Sequence, residues 1–219
     1  MRTAIFDESR VLFSAVSALF LAAVVMAVVY RRLQTALSLL VSYVLVAAML
    51  VWFYRYPTIQ IPVASSNILY APCDGLVKAV EYDPANSKVK IIVFLNIFDQ
   101  HHQFYPLSGH VIKTDHFPGA FHPAYLLEKS KYNEKQETTI RGLSGETITI
   151  TQIAGQIARR IVNNAREGAA VKVGERMGMI KLSSRVDIEF DKANFITRVT
   201  PGTRLVAMQT PIAYRRMGW

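Results

Sequence analysis

Thr147-Ile148-Thr149-Ile150-Thr151 alternates polar and apolar side chains at every step. Successive side chains of a strand point to opposite faces, so this period of two predicts a β-strand with one face on a core. Similar short runs lie on both sides of it. They extend the prediction to strands over Leu76–Tyr82, Lys88–Asn96, Gly109–Thr114, Glu146–Ile153, Met179–Leu182, Arg185–Phe190 and Arg204–Met208. Gly, Pro and Asp-Pro pairs punctuate them. Many short strands separated by such turn signals predict a mainly β domain, a sandwich or barrel-like fold. Two helices are expected within it. Ala154 to Asn164 places Ile157, Ala158 and Ile161 on one face, and Pro123 to Ser130 carries Tyr125, Leu126 and Leu127.

The N-terminal part has a different character. Val11–Tyr30 and Leu33–Tyr54 contain no charged residue, and only Arg31 and Arg32 separate them. About 20 helical residues span roughly 30 Å, the thickness of a bilayer core. A secretory signal fits poorly, because its apolar region is shorter and no small-residue cleavage site follows. The expectation is a membrane-anchoring helical hairpin over residues 1–55, followed by a β domain over 56–219. Tyr56 to Ser66, with two prolines, reads as the linker.

The chain has 219 residues and a formal net charge of +9. A basic domain tethered to a membrane suits anionic lipid headgroups. Nucleic acid is not an expected partner, since no basic run is interleaved with aromatics and no binding motif occurs. The single cysteine, Cys73, excludes an intrachain disulfide and makes a cysteine-based metal site untenable. His101, His102, His110, His116 and His122 fall close together, but without metal-helix spacing or an acidic partner at i+4. No metal is therefore expected. One proton-transfer histidine among scattered others is the simpler reading.

Several segments, taken in order, carry a resemblance. They are Ala71-Pro72-Cys73-Asp74-Gly75, Phe94 to His101 with Pro106 and Gly109 beyond, Tyr132-Asn133-Glu134, Gln152-Ile153-Ala154-Gly155 and Ala158-Arg159-Arg160-Ile161. Gly174 to Asp187 follows, ending in Ser183-Ser184-Arg185-Val186-Asp187. Together they resemble the short, bacterial-type branch of the phosphatidylserine decarboxylases. That branch also carries an N-terminal hydrophobic hairpin with an aromatic-Arg-x-Pro exit, here Tyr54-Arg55-Tyr56-Pro57.

The resemblance implies a membrane enzyme that removes CO2 from phosphatidylserine to give phosphatidylethanolamine. It implies self-cleavage between Ser183 and Ser184, which turns Ser184 into a covalent pyruvoyl cofactor. The two pieces would stay associated. Asp74 and His101 are implied near Ser184. Arg159, Arg160 and Arg185 are candidates for the lipid phosphate or the substrate carboxylate, with structural ion pairing as the competing role. Ser183 stands where the family usually has Gly, and Phe104 where longer members have a second histidine. The expected location is the cytoplasmic membrane of a prokaryote. A homo-oligomer is compatible with the sequence. An uncleaved, non-catalytic lipid-binding homologue is the alternative left open.

Overall fold

The computed structural model describes residues 4–30, 32–63, 65–156, 160–181 and 184–216, with only the backbone for residues 4–11. The chain divides into two compact units, Met1–Pro57 and Thr58–Trp219.

The first unit is a pair of helices, α1 (Ala4–Val29) and α2 (Leu33–Phe53). No Pro or Gly interrupts either, so apolar helix formers run unbroken. The helices touch through Phe20 and Tyr43, whose rings stack at 4.2 Å, and through the hydroxyls of Ser17 and Tyr43 at 3.2 Å. Leu19, Leu21, Val28, Leu33 and Leu45 stay exposed on their surfaces. Both helices are long and apolar enough to cross a membrane. Arg55 caps the end of α2 by donating to the Trp52 carbonyl at 2.7 Å and lies over the Trp52 ring.

The second unit is mainly β, built on a curled half-barrel sheet. Its strands are β1 (Ile68–Tyr70), β2 (Gly75–Asp83), β3 (Lys88–Leu95), β4 (His102–Phe104), β5 (Gly109–Phe117), β6 (Lys135–Gly142) and β7 (Thr147–Ala154). Then come β8 (Ile161–Asn163), β9 (Ala170–Val171), β10 (Arg176–Ile180), β11 (Ser184–Asp191), β12 (Phe195–Thr197), β13 (Arg204–Leu205) and β14 (Pro211–Arg215). A single-turn helix, α3 (Leu127–Ser130), lies between β5 and β6. One eight-stranded sheet runs β13-β2-β3-β11-β7-β6-β5-β9, and two three-stranded sheets run β1-β14-β12 and β4-β10-β8. All these pairings are antiparallel.

The alternating threonine stretch forms β7, with Ile148 and Ile150 fully buried. They meet Ile91, Val93 and Leu95 of β3 and Val186, Ile188 and Phe190 of β11 in one apolar cluster. Burial of each such side chain stabilises the fold by about 1.5–3 kcal/mol. On β7 the expected face therefore went inward, and the threonines lie on the other side.

The helix expected over Ala154–Asn164 does not form across that range. Ala154 closes β7, and Ile161–Asn163 is strand β8. Ile161 serves a β pairing instead, opposite Ile180, with Val162 opposite Met179, while Ile157 and Ala158 lie outside the described residues. Gly178 permits the approach, since a Cβ there would collide with the Val162 carbonyl. Two expected elements are much shorter than their ranges: strand β13 ends at Leu205, and α3 spans only the end of Pro123–Ser130. The strand expected over Met179–Leu182 begins earlier, at Arg176, and is β10 up to Ile180, while Leu182 lies outside the described residues.

Candidate functional site

A row of residues, stepped by one position on β2 and on β3, crosses the large sheet. Leu205 pairs with Gly75, Leu76 with Phe94, Leu95 with Ser184, and Ser184 with Ala154, whose N–H donates to the Glu134 carbonyl. Because the strands are antiparallel, the chain on the outer side of this row always leaves or enters at the same end of the sheet. Asp74 precedes Gly75. The turn leading to His101 follows Leu95. Asn133 precedes Glu134. The residues expected to act chemically are thus gathered at one sheet end, from segments far apart in sequence.

Ser184 opens β11, a strand with neighbours on both sides. It is fully buried, and its Oγ has no hydrogen-bond partner among the described residues. It shares a face with Val186 and Ile188, which lie in the core. Ser183 and Arg159 fall outside the described residues.

His101 is carried by a turn whose polar groups bond to each other. Asp99 accepts the Asn96 N–H at 2.8 Å, and Asn96 Oδ1 accepts the Phe98 N–H at 2.8 Å. Asp99 also forms an ion pair with Arg204. The His101 ring is fully buried, with Nδ1 2.8 Å from the Asp99 carbonyl. A carbonyl oxygen can only accept, so Nδ1 carries the proton, and in the neutral ring Nε2 carries the lone pair. The His101 carbonyl accepts the Ile180 N–H at 3.3 Å and the Gln103 amide at 2.8 Å. His102 pairs with Met179 in the same small sheet. The histidine segment is therefore stitched to β10, the strand that leads into Ser184.

A buried amide chain supports this arrangement. Gln152 donates to Gln103 Oε1 at 2.8 Å, and Asn163 donates to Gln152 Oε1 at 2.8 Å and to Thr138 Oγ1 at 2.9 Å. It joins the β4-β10-β8 sheet to the large one. Such networks hold geometry well when every member is paired.

Asp74 is half-buried, and its carboxylate reaches beyond its own turn. Oδ1 accepts the Ala207 N–H at 2.8 Å, and Oδ2 accepts the Gln100 N–H at 3.4 Å. It thus ties the segment after β13 to the turn bearing His101. Gly75 follows at φ +148°, and a Cβ there would lie 2.7 Å from the Phe94 carbonyl oxygen. Only glycine fits so close a passage. Burial, and then the carboxylates of Asp74 and Asp99, push the Cys73 thiol well above its ordinary range.

Arg185 is adjacent to Ser184 in sequence but lies on the opposite face of the strand. Its guanidinium grips Asp187 through two hydrogen bonds of 2.7 and 2.8 Å, and donates to the Leu127 carbonyl and to Ser130 Oγ at 3.0 Å each. These contacts pin α3 against the sheet. The Arg160 side chain is exposed, and its carbonyl accepts the Lys181 N–H at 3.1 Å. Of the remaining histidines, His116 reaches Glu134 at 3.2 Å, and the backbone of His122 bonds to Asn133. Among the described residues no three His, Cys, Asp or Glu side chains are grouped to hold a metal ion.

The comparison with known proteins covers all of these segments with one family. Residues 46–213 match the family model described as phosphatidylserine decarboxylase. The chain belongs to the phosphatidylserine decarboxylase family. Similar relatives include the phosphatidylserine decarboxylase proenzymes of Burkholderia vietnamiensis and Burkholderia multivorans. Each is 39% identical over 173 residues, covering 77% of this chain and 80% of the relative. The proenzyme of Burkholderia pseudomallei is also 39% identical, with 79% of the relative covered. The match to this decarboxylase family includes the end of α2 and nearly all of the β unit.

Sequence reasoning missed two contributors to this site. Gln103 and Gln152 are both fully buried and hold the His101 backbone. Gln152 opens one of the segments that carried the resemblance. A glutamine among β-type apolar residues on a core-facing position was the available signal.

Proposed function

We propose that this chain is a membrane-anchored, pyruvoyl-dependent decarboxylase that converts phosphatidylserine to phosphatidylethanolamine and CO2 after cutting itself between Ser183 and Ser184. The observation that carries the reading is Ser184. It is a buried serine whose hydroxyl has no hydrogen-bond partner among the described residues, at the sheet end where the His101 turn and Asp74 also emerge.

In the first step the Ser184 hydroxyl gives up its proton and Oγ attacks the Ser183 carbonyl carbon. The amide bond breaks, an ester forms, and the Ser184 nitrogen takes up a proton. Loss of the Ser184 α-proton then expels the ester oxygen, leaving Ser183 with a carboxylate terminus. Water displaces the nitrogen as ammonia, and residue 184 ends as a pyruvoyl group. A buried hydroxyl with no competing hydrogen bond fits this use. When formed, the group supplies a carbonyl that condenses with the substrate amine and delocalises the electron pair left by CO2.

The protein's own residues do the rest. His101, held in one tautomer by Asp99, delivers or removes a proton through Nε2. Asp74 fixes the turn that carries it. Arg160, exposed beside the Lys181 backbone, is the cation offered to the lipid phosphate, and Arg159 is offered the same role. The exposed apolar surfaces of α1 and α2 and the basic charge of the chain support residence in the cytoplasmic membrane of a prokaryote, against anionic lipid. The segments 1–183 and 184–219 would remain joined, because β11 is hydrogen-bonded to β3 and β7 along its length.

Incubating the purified protein with vesicles containing phosphatidylserine, and measuring phosphatidylethanolamine and CO2, tests this function. Protein that has cut itself yet releases neither product would exclude it. The alternative, an uncleaved lipid-binding homologue, rests on Ser183 standing where the family usually has Gly. It would bind vesicles as one full-length chain.

A further inference from the structure

Gln100 is 3% exposed, and neither its Nε2 nor its Oε1 has a hydrogen-bond partner among the described residues. A buried amide with both groups unpaired is costly, and in a native protein it calls for a reason. Its surroundings sharpen the point. Asn96 and Asp99 bond within the turn, Asp99 also holds Arg204, and the Gln100 N–H itself donates to Asp74. The side-chain amide stands out against a turn that is otherwise well bonded. Ser184 Oγ, at the same end of the sheet, also has no hydrogen-bond partner among the described residues.

We propose that the Gln100 side chain binds the serine headgroup of the lipid, Nε2 donating to the carboxylate and Oε1 accepting from the headgroup's N–H. The inference rests on the decarboxylase reading above. Among the described residues, three candidate cations do not supply a buried contact here. Arg185 is committed to Asp187 on the other face, Arg204 is paired with Asp99, and Arg160 is exposed. A neutral donor also suits the chemistry. The carboxylate loses its charge as CO2 leaves, so a strong cation would hold the ground state more than the transition state. An amide orients the group with a smaller penalty of that kind.

The test uses full-length wild-type protein, Gln100→Met and Gln100→Glu. Gln100→Met keeps the side chain's shape without its amide, and Gln100→Glu keeps the shape but adds a negative charge. Self-cleavage is read by intact mass, stability by thermal unfolding, and turnover on phosphatidylserine in mixed micelles. The expected Gln100→Met protein cuts itself like the wild type and melts about 2–4 °C higher, because two unpaired buried groups are gone. Its kcat/KM falls about 10- to 100-fold. Gln100→Glu falls further, since it repels the carboxylate. Unchanged kcat/KM in Gln100→Met overturns the inference. So does a loss of turnover that comes with a lower melting temperature or failed cleavage, which would mark Gln100 as structural. A wild-type protein that cuts itself but makes no product overturns the decarboxylase reading instead.

Discussion

The carbonyl of His101 accepts the backbone N–H of Ile180 at 3.3 Å, and Ser184 begins the next strand after Ile180. A histidine and a serine more than eighty positions apart are thereby tied to one short stretch of chain. The tie is through backbone, so it survives substitution of the His101 side chain.

That independence gives a prediction for His101→Ala. The turn should persist, because Asp99, Asn96 and Gln103 hold it without the imidazole. Loss of a proton-transfer group lowers turnover by about 10²- to 10⁴-fold. Steady-state kinetics on phosphatidylserine, beside circular dichroism of the variant, would check it. Wild-type turnover would remove His101 from the mechanism.

Asp74 acts through two backbone N–H groups, Ala207 and Gln100. Asp74→Ala removes both acceptors and is expected to cost about 1–3 kcal/mol of stability. Its cleavage should be slower, because the turn bearing His101 loses an anchor. Asp74→Asn keeps one acceptor oxygen and should recover part of both. Urea titration and a time course of chain cutting measure the two effects.

How much of this was legible in the sequence follows from periodicity. The alternation at Thr147–Thr151 announced both β7 and its buried face. The serine pair, the Asp-Gly turn and the histidine segment were readable as motifs, and the sheet register explains why they belong together. Arg185 shows where adjacency misleads. In a strand, the residue after Ser184 faces away from it, so proximity in sequence put the two on opposite sides of the sheet. Ile157, Ala158 and Ile161 misled for another reason. Their spacing fits a helix, but a three-residue strand is decided by its partner, β10, and that partner is invisible locally. Gln100 carried no motif at all. Its buried side-chain amide, without a hydrogen-bond partner among the described residues, is what sets it apart.

The Arg185–Asp187 pair beneath α3 offers a stability test. Both side chains are buried, and burial pushes the Asp187 carboxyl upward against the pull of the guanidinium. Asp187→Asn leaves a buried cation without its counter-charge and is expected to destabilise by about 3–5 kcal/mol. The double variant Arg185→Met/Asp187→Leu should recover most of that loss. A double-mutant cycle from chemical denaturation checks both statements, and additive losses would contradict them.

Cys73 is expected to be inert. It is fully buried, and burial together with the Asp74 and Asp99 carboxylates keeps it a neutral thiol. Thiolate is the reactive form. Maleimide at pH 8 should therefore label the folded protein very slowly and the urea-unfolded protein at once. Rapid labelling of the folded chain would show that the thiol is open to solvent or ionised.

The central claim is that Ser184 cuts the chain, and intact mass measures it directly. The purified wild-type protein is expected to give two pieces, 1–183 and 184–219, the smaller lacking a free amino terminus. Ser184→Ala is expected to give one full-length chain and no turnover. A wild-type protein that persists as a single 24.6 kDa chain, or a Ser184→Ala protein that still cuts at the same bond, would contradict the account.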